Sequence, residues 1–510
     1  MRKLKLFFMN SMLLSITSIL MRAIGVAFNV YISNEIGMAG MGLIELIVTV
    51  FSFAVVLAVS GVSLASTRLV AEEMANNSDT GIRKSMRSCI TYSLIFGISS
   101  AILMLCTSNF IGTYFLGDTR TIKSLLVLSI SLPLIAVQSA LYGYFTAVRR
   151  VAISAGVQIV EQLIRIGLTV YLLQIFIPYG VEYACLGLII ASSIAEMFSF
   201  VALLIFYEID KKRFSAKTAQ PINIRRRLLK ISLPIAFSSY VCSALYMIKN
   251  IMIPIGLIKS GLTRDGALAQ FGIISGMVIP IIFFPSAFLS AFSSMIVPEI
   301  TECYKLGNMK RINYMISRAF QVTLLFSIGV IGIFLKFPHD FGIVIFKSLE
   351  IGIYIKILAP LILIMYLDSV VDAMLKGLDK QVSSMFYNII DSIIGIALVY
   401  LLLPKFGIKG LLLVMFSSKL INAFLSINKI IKVTSFKIDI MSWLIKPCLA
   451  IFMSVTSVKL FTDFMHIGYN PSVTLLICYV LFSIIIYYII LRLLDCINKD
   501  DLLHFKGIFK

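Results

Sequence analysis

The sequence predicts an all-α, multi-pass membrane protein of about fourteen transmembrane helices, and three observations support this. Of its 510 residues, 59% are hydrophobic and 14% charged, and the mean hydropathy of +0.98 is too high for a soluble globular protein. The apolar residues form runs long enough to cross a bilayer. The chain also repeats itself after about 230 residues, which predicts two six-helix lobes related by a pseudo-two-fold axis along the membrane normal, plus two C-terminal helices.

The expected spans follow from the length of each apolar run, since about 20 apolar residues cross the hydrocarbon core. The first run, 7–32, follows three basic residues as a signal peptide would. It is too long for a signal-peptide core and lacks a convincing cleavage site, so we expect it to be retained as the first span. The predicted centres are Leu20, Phe53, Ile98, Leu134, Leu163, Ala191, Ala244, Ile282, Phe326, Leu363, Ile394, Val414, Met453 and Phe482.

Lysine and arginine lie mostly between alternate spans. One face collects about 30 basic residues and the other about 10, which predicts that both termini are cytoplasmic. The net charge of +20 therefore indicates orientation in a membrane rather than nucleic-acid binding. The basic segment 211–230 is predicted to be a cytoplasmic linker between lobes 1–210 and 231–432, and 433–510 holds the two additional helices and a tail.

The repeat is clearest in two blocks that align without a gap. GLIELIVTVFSFAVVLAVSGVSLASTRLVAEE, which starts at Gly42, matches GIISGMVIPIIFFPSAFLSAFSSMIVPEITE, which starts at Gly272. A second block from Val148 matches one from Leu378, and it pairs Glu161 with Asp391. Apolar helices resemble one another by chance, but a shared offset across separate blocks indicates duplication. Small residues near the end of the first block allow close approach by a backbone or a ligand.

Charged residues deep in spans are costly, so they are the first candidates for function. Arg22 lies about fifteen residues into the first span, and we predict that it contacts substrate. Structural pairing with Glu45 of the second span is the alternative. Asn29 lies two turns later on about the same face as Arg22 and is a neutral hydrogen-bonding candidate.

The seventh and eighth spans combine polar residues with prolines. Lys249 and Asn250 precede Pro254, and Pro280 and Pro285 interrupt the next span. Proline frees a backbone carbonyl, which a membrane tolerates beside protein or a wet cavity. We therefore predict that these helices are broken and line a substrate cavity, although simple packing kinks would produce the same pattern.

Two charge pairs lie four residues apart. Glu161 and Arg165 in the fifth span have opposite charges and are expected to pair on one helix face; a transport role for either remains open. Asp368 and Asp372 in the tenth span carry like charge, so one of them is expected to hold a proton or attract a cation. Pairing of Asp372 with Lys376 is the alternative. Asp391, Lys419 and Lys446 are predicted to lie near span ends.

Enzymatic signatures are missing from the sequence. The eight cysteines lie singly, without metal-type spacing, and the three histidines lie in separate loops or the tail. There is no P-loop motif. We therefore expect no catalytic residues, no cofactor, no metal site and no disulfide framework.

Several segments resemble the stage V sporulation protein B family, in the polysaccharide-transporter branch of the multidrug/oligosaccharidyl-lipid/polysaccharide (MOP) exporter superfamily. They are ILMRAIGVAFNVYISNEIGMAGMGLIELI, GVSLASTRLVAEE, SLPIAFSSY and FGIISGMVIPIIFFPSAFLSAFSSMIVPEITE. The resemblance implies a MATE-like, bacterial plasma-membrane flippase that moves an undecaprenyl-diphosphate-linked precursor, such as lipid II, by alternating access for spore cortex or cell-wall synthesis. It also implies that spans one, two, seven and eight line the cavity.

The chain departs from the family pattern at two positions. Asn29 stands where a second basic residue is expected after Arg22, and Lys249 stands where an acidic residue usually precedes the proline. Three hypotheses remain: the flippase, a cation-coupled (H⁺ or Na⁺) multidrug or metabolite exporter of the same fold, and a non-transporting membrane scaffold for cell-wall enzymes. The expected partners are a lipid-linked oligosaccharide and membrane lipids, with H⁺ or Na⁺ as the candidate coupling ion, and the protein is expected to be a monomer.

Overall fold

The computed structural model describes residues 2–214, 223–434, 439–464 and 472–496, and these residues are helical with no β-strand. The predicted all-α, multi-pass membrane fold is confirmed. Many helices expose long apolar side chains, as a lipid-facing surface requires. On α3 (Asp79–Phe110), for example, Ile95, Ile98 and Ile102 are about half exposed.

The helices fall into two compact units of the chain, Met1–Gly272 with Ser392–Leu411, and Ile273–Asp391 with Leu412–Lys510. In the first unit the helices are α1 (Arg2–Val59), α2 (Val62–Ala75), α3, α4 (Ile122–Ala147), α5 (Val151–Phe176), α6 (Val181–Lys211), α7 (Ile224–Lys259) and α8 (Arg264–Phe271). After the π-helical turn Gly272–Val278 come α9 (Ile279–Phe283), α10 (Ser286–Lys305), α11 (Met309–Lys336), α12 (Pro338–Phe346), α13 (Leu349–Leu358), α14 (Leu361–Gly377), α15 (Gln381–Val433), α16 (Lys446–Phe464) and α17 (Val473–Leu493).

Eleven helices of the described chain are long and apolar enough to cross a membrane, or twelve when the bent pair α13 and α14 counts as one span. The predicted count of fourteen is therefore not confirmed. Two long elements contain a non-helical glycine, Gly37 in α1 and Gly407 in α15. Counting the segments on either side of each glycine separately adds two spans, so the predicted number depends on how these breaks lie in the bilayer.

The duplication predicted from the sequence also appears in the backbone. Helices α3 and α11 begin 230 positions apart, and Ser78 and Asn308, also 230 apart, cap them by accepting a bond from the backbone N–H three residues later. Left-handed backbone conformations recur at the same offset. The matched positions are Asn77 with Gly307, Gly117 with Lys347, and Arg149 with Asp379. Because most side chains avoid this conformation, the coincidence shows that the turns were copied together with the helices.

The two aligned glycines make reciprocal close contacts within the first unit. A Cβ at Gly42 would lie 2.0 Å from the carbonyl oxygen of Leu268, and one at Gly272 would lie 2.2 Å from that of Met38. Each contact joins one glycine to the residue four positions before the other. Reciprocity of this kind is expected where two repeat-related segments cross at a two-fold axis.

Helix α7 packs with the first unit, although the predicted boundaries assigned 231–432 to the second lobe. The Tyr240 hydroxyl donates to Ser60 Oγ at 2.6 Å, and a Cβ at Gly61 would lie 2.9 Å from the carbonyl oxygen of Ser232. At the start of α7, Arg227 pairs with Glu73 at 2.7 Å. Of the predicted linker, 211–230, the residues from Ile224 onward are already helical.

The prolines interrupt a helix at some of the predicted positions and not at others. The π-helical turn Gly272–Val278 precedes Pro280, and Pro285 caps α10, so the eighth span is interrupted as predicted. Pro254, in contrast, lies inside a continuous α7, and the predicted break there is wrong. A proline in a helix removes a single backbone donor, and the neighbouring turns keep the helix intact.

Candidate substrate and ion sites

The first-span candidates lie on α1. Arg22, Asn29 and Glu45 are all partly buried. No ion pair among the described residues joins Arg22 to Glu45, so the alternative role as a structural pair gains no support. The Oδ1 atom of Asn29 is buried and has no hydrogen-bond partner within the described chain. These residues remain predicted substrate contacts.

Lys249 and Asn250 lie on α7 and are also partly buried. The Lys249 side chain passes over Gly395 in the first part of α15. A Cβ at that glycine would lie 2.9 Å from Lys249 Cδ and 3.4 Å from Nζ. Because glycine has no side chain, position 395 leaves room for Lys249. The ammonium group of Lys249 therefore lies against α15, within the first unit.

A cavity of about 790 Å³ lies within the first unit, and we call it the N-terminal pocket. Most of its polar wall comes from α5, where Glu161 and Arg165 form an ion pair at 2.5 Å. The pairing predicted from their spacing is therefore present. The pocket is lined by Thr17, Met21, Phe51, Ser52, Val55, Val56, Ile135, Gln138, Tyr142, Ala155, Gln158, Glu161, Gln162, Arg165 and Glu196.

Glu196 of α6 is a pocket residue that the sequence analysis missed. Gln138 of α4 donates to its backbone carbonyl at 2.6 Å, which fixes α4 against α6 beside the cavity. The signal was available, since Glu196 is the lone charge in the apolar stretch 191–206 and meets the same criterion that singled out Arg22.

The second unit contains a hydrogen-bonded cluster, which we call the aspartate network. Asp368 is 8% exposed and accepts two bonds from Asn422 Nδ2, at 3.1 and 2.9 Å. Asn422 also donates to Asn388 Oδ1 at 3.2 Å. Asn388 in turn donates to Asp372 at 3.4 Å, and Ser384 Oγ donates to the same carboxylate at 2.6 Å.

The aspartate network joins the two predicted coupling-ion residues of the tenth span, Asp368 and Asp372. No ion pair in the described chain links Asp372 to Lys376, so the alternative pairing gains no support. Glu161, the third coupling-ion candidate, belongs to the other unit. The neutral members Asn388 and Asn422 were missed because an asparagine in an apolar run carries no charge signal.

Asp391 and Lys419 form an ion pair of their own at 3.4 Å, and Ser418 also donates to Asp391. The Asp391 side chain is 7% exposed. Both charged residues were predicted to lie near span ends, without a pairing between them. Their separation of 28 positions hid the pairing, which needs both segments of α15.

Outside the spans, Asp118 ties together two loops of the first unit. It accepts from Arg120 at 2.8 Å and from Arg264 at 3.2 Å, and Arg120 also reaches Asp265 at 2.9 Å. Burial opposes ionisation of Asp118, but the hydrogen bonds and charges of Arg120 and Arg264 outweigh it. The pKa of Asp118 is therefore below its usual value.

A protein family and a curated relative match the chain over long stretches. The family model described as polysaccharide biosynthesis protein matches residues 7–263. The chain is 25% identical over 503 residues to Stage V sporulation protein B of Bacillus subtilis (strain 168), and the alignment covers 97% of each chain.

Two solved structures show the same fold. The lipid II flippase MurJ, in an inward closed conformation, matches with a TM-score of 0.70 at 16% identity, over 94% of this chain and 98% of that one. An inward-facing multidrug resistance MATE family transporter of the MOP superfamily matches with a TM-score of 0.62 at 14% identity, over 79% and 92%. The MATE-like fold that the sequence predicts is confirmed.

Proposed function

Because the chain belongs to the polysaccharide biosynthesis protein family, we propose that it is a flippase for an undecaprenyl-diphosphate-linked saccharide, a lipid II-like precursor of spore cortex or cell wall. It works in the bacterial plasma membrane, with both termini cytoplasmic, and as a monomer. The relatives named Stage V sporulation protein B and lipid II flippase MurJ support this substrate class.

The observation that carries the proposal is a pair of cationic side chains on membrane helices of one unit. Arg22 lies on α1 and Lys249 on α7, and both are partly buried within helices that qualify as spans. Charged residues on membrane helices commonly mark substrate pathways. A diphosphate suits arginine and lysine, since charge-assisted hydrogen bonds are the strong ones. Asn29, Glu45, Asn250 and Arg165 complete the proposed substrate contacts.

The duplication supports alternating access as the mechanism. Transporters built from two repeats commonly move one repeat against the other around a fixed binding site. The copied turns and the reciprocal glycine contacts mark this chain as such a duplication.

The experiment is translocation of a fluorescent undecaprenyl-diphosphate-linked saccharide in vesicles that contain the purified protein. We expect Arg22→Ala and Lys249→Ala each to lower the initial rate at least about tenfold, the loss of one charge-assisted hydrogen bond of roughly 1.4 kcal/mol or more. Lys310→Ala removes an exposed lysine at the start of α11 and serves as the matched control. Wild-type rates in both the Arg22 and the Lys249 variants would refute the assignment.

The aspartate network favours ion coupling, for which H⁺ and Na⁺ are the candidates. Two carboxylates held among neutral amides and a hydroxyl are suited to exchange a proton or a small cation. A cation-coupled multidrug or metabolite exporter of the same fold is the second candidate function, since the MATE transporter shares the architecture. Translocation should respond to a Na⁺ or H⁺ gradient in wild type and lose that response in Asp368→Asn. If organic cations, and not the lipid, follow the gradient, the exporter is the better description.

A further inference from the structure

The N-terminal pocket contains two buried atoms that still need hydrogen-bond partners. Glu196 Oε2 is an acceptor and Arg165 Nε is a donor, and neither has a partner within the described chain. A buried polar atom without a partner costs free energy, so a ligand that supplies one gains affinity. A hydroxyl group both donates and accepts, and it therefore satisfies either atom. A metal cation would serve the carboxylate alone.

The charge of the pocket argues against a phosphate in this place. Glu161 and Arg165 neutralise one another at 2.5 Å, and Glu196 adds a second carboxylate without a second cation. A diphosphate would meet net negative charge when Glu196 is ionised. The ligand chemistry that fits is neutral and polar.

The remaining wall has the composition of a carbohydrate site. Gln158 and Gln162 offer amides that donate and accept, as sugar hydroxyls and acetamido groups require. Phe51 and Tyr142 offer aromatic rings, against which the C–H faces of a pyranose pack. The volume of about 790 Å³ lies within the range of small-molecule pockets, roughly 300–1,000 Å³.

In a lipid-linked sugar the diphosphate is joined directly to the sugar. The pocket and the proposed diphosphate ligand Arg22 are likewise neighbours on α1. Met21 lines the pocket, and Arg22 is the next residue of the same helix. A diphosphate held by Arg22 is therefore one position along α1 from a residue of the pocket wall, which places the attached sugar next to the pocket.

We propose that the N-terminal pocket binds the saccharide of the transported lipid, with Gln158, Gln162, Arg165 and Glu196 as its hydrogen-bonding groups. This inference rests on the proposed function, and it makes the first unit the part of the protein that distinguishes one sugar from another. The diphosphate is bound outside the pocket.

The test is binding of two lipids to the full-length protein in detergent: undecaprenyl diphosphate carrying a disaccharide, and undecaprenyl diphosphate alone. The Gln158→Leu/Gln162→Leu double variant keeps side-chain size and removes both amides. We expect its affinity for the sugar-bearing lipid to fall about tenfold or more, and its affinity for the bare lipid to stay unchanged. Gln174→Leu, on the exposed side of the same helix, is the matched control.

The outcomes separate the two claims. Equal loss for both lipids, or no loss for either, would overturn the pocket assignment and leave the flippase proposal standing. Wild-type protein that binds neither lipid would overturn the proposed function, and the pocket assignment with it. Thermal unfolding of each variant shows whether a loss of binding reflects a loss of folding. Should the double variant unfold, the single variants Gln158→Leu and Gln162→Leu provide the same comparison with smaller changes.

Discussion

The N-terminal pocket and the aspartate network occupy related places in the two copies of the repeat, but they are constructed differently. Glu161 lines a cavity and pairs with an arginine one turn away, whereas Asp391, 230 positions later, is enclosed by Ser418 and Lys419. Gln158 faces the cavity, while its counterpart Asn388 links Asp372 to Asn422.

The difference indicates a division of labour after duplication. In the first copy, polar groups surround open space and leave buried atoms for a ligand. In the second copy, amides and hydroxyls already satisfy the carboxylates, and the unpartnered buried atom in the network is an amide oxygen, Asn422 Oδ1. Such carboxylates suit the exchange of a proton or small ion, and disturbing them costs stability. A shared helical framework thus supports a ligand pocket in one copy and a hydrogen-bonded network in the other.

The comparison assumes that both regions derive from one duplicated sequence. The largest effect on stability is expected at the aligned glycines of that duplication, Gly42 and Gly272. Gly42→Ala places a Cβ 2.0 Å from the Leu268 carbonyl oxygen, so two backbones must separate. We expect destabilisation of about 3 kcal/mol, measured as thermal unfolding in detergent. Gly272→Ala should behave alike because its contact is reciprocal. Gly25→Ala, with nothing within 4 Å, is the control. Wild-type stability of Gly42→Ala would show that the close contact between Gly42 and Leu268 does not hold the backbones together.

The next effect is expected in the aspartate network. Asn422→Leu removes both hydrogen bonds to the buried Asp368 carboxylate, which should cost about 2–3 kcal/mol. A second substitution, Asp368→Asn, should restore part of that loss because the stranded charge is gone. A double-mutant cycle of unfolding free energies measures the coupling. Additive effects of the two substitutions would contradict the network.

A direct comparison of the two regions uses the equivalent carboxylates. Asp391→Asn alters a side chain that is 7% exposed and should destabilise by about 2 kcal/mol, since its hydrogen-bond donors lose a charged acceptor. Glu161→Gln should cost about 1 kcal/mol or less, because Arg165 is 28% exposed and screening weakens the pair. Denaturant titrations of both variants decide this. The reverse order would mean that the Glu161–Arg165 pair contributes more to stability than the contacts of Asp391.

The smallest effect concerns Asp118, a paired carboxylate outside both regions. Its folded pKa is lowered, so its contribution to stability is complete above the ordinary aspartate value of about 3.9 and is lost as the pH falls through the folded pKa. The contribution of Asp118 to the unfolding temperature of the wild type should therefore be constant from neutral pH to about 5 and should fall at lower pH. Asp118→Asn should show a shallower acid decline. Identical acid curves would show that the loop contact contributes nothing.

The sequence predicted the fold because its signals are local or periodic. Apolar runs predict spans, and the spacing of Gly42 and Gly272 predicts the duplication. The pair Glu161 and Arg165 was also predictable, since four residues form one helical turn. Glu196 was within reach of the same charge criterion. Asn388 and Asn422 were not, because only folding brings these two amides to the carboxylates of Asp368 and Asp372. The orientation of the termini stays a prediction.

The recurring left-handed turns have a consequence for the evolution of the chain. At 117 the corner is formed by glycine, and at 347 by Lys347, which accepts an unfavourable backbone conformation. The left-handed backbone conformation of this turn was therefore retained after the duplication, although the residue that adopts it changed. The turns of one copy should therefore be exchangeable with the equivalent turns of the other copy. We expect hybrid proteins with exchanged turns to insert into the membrane and fold.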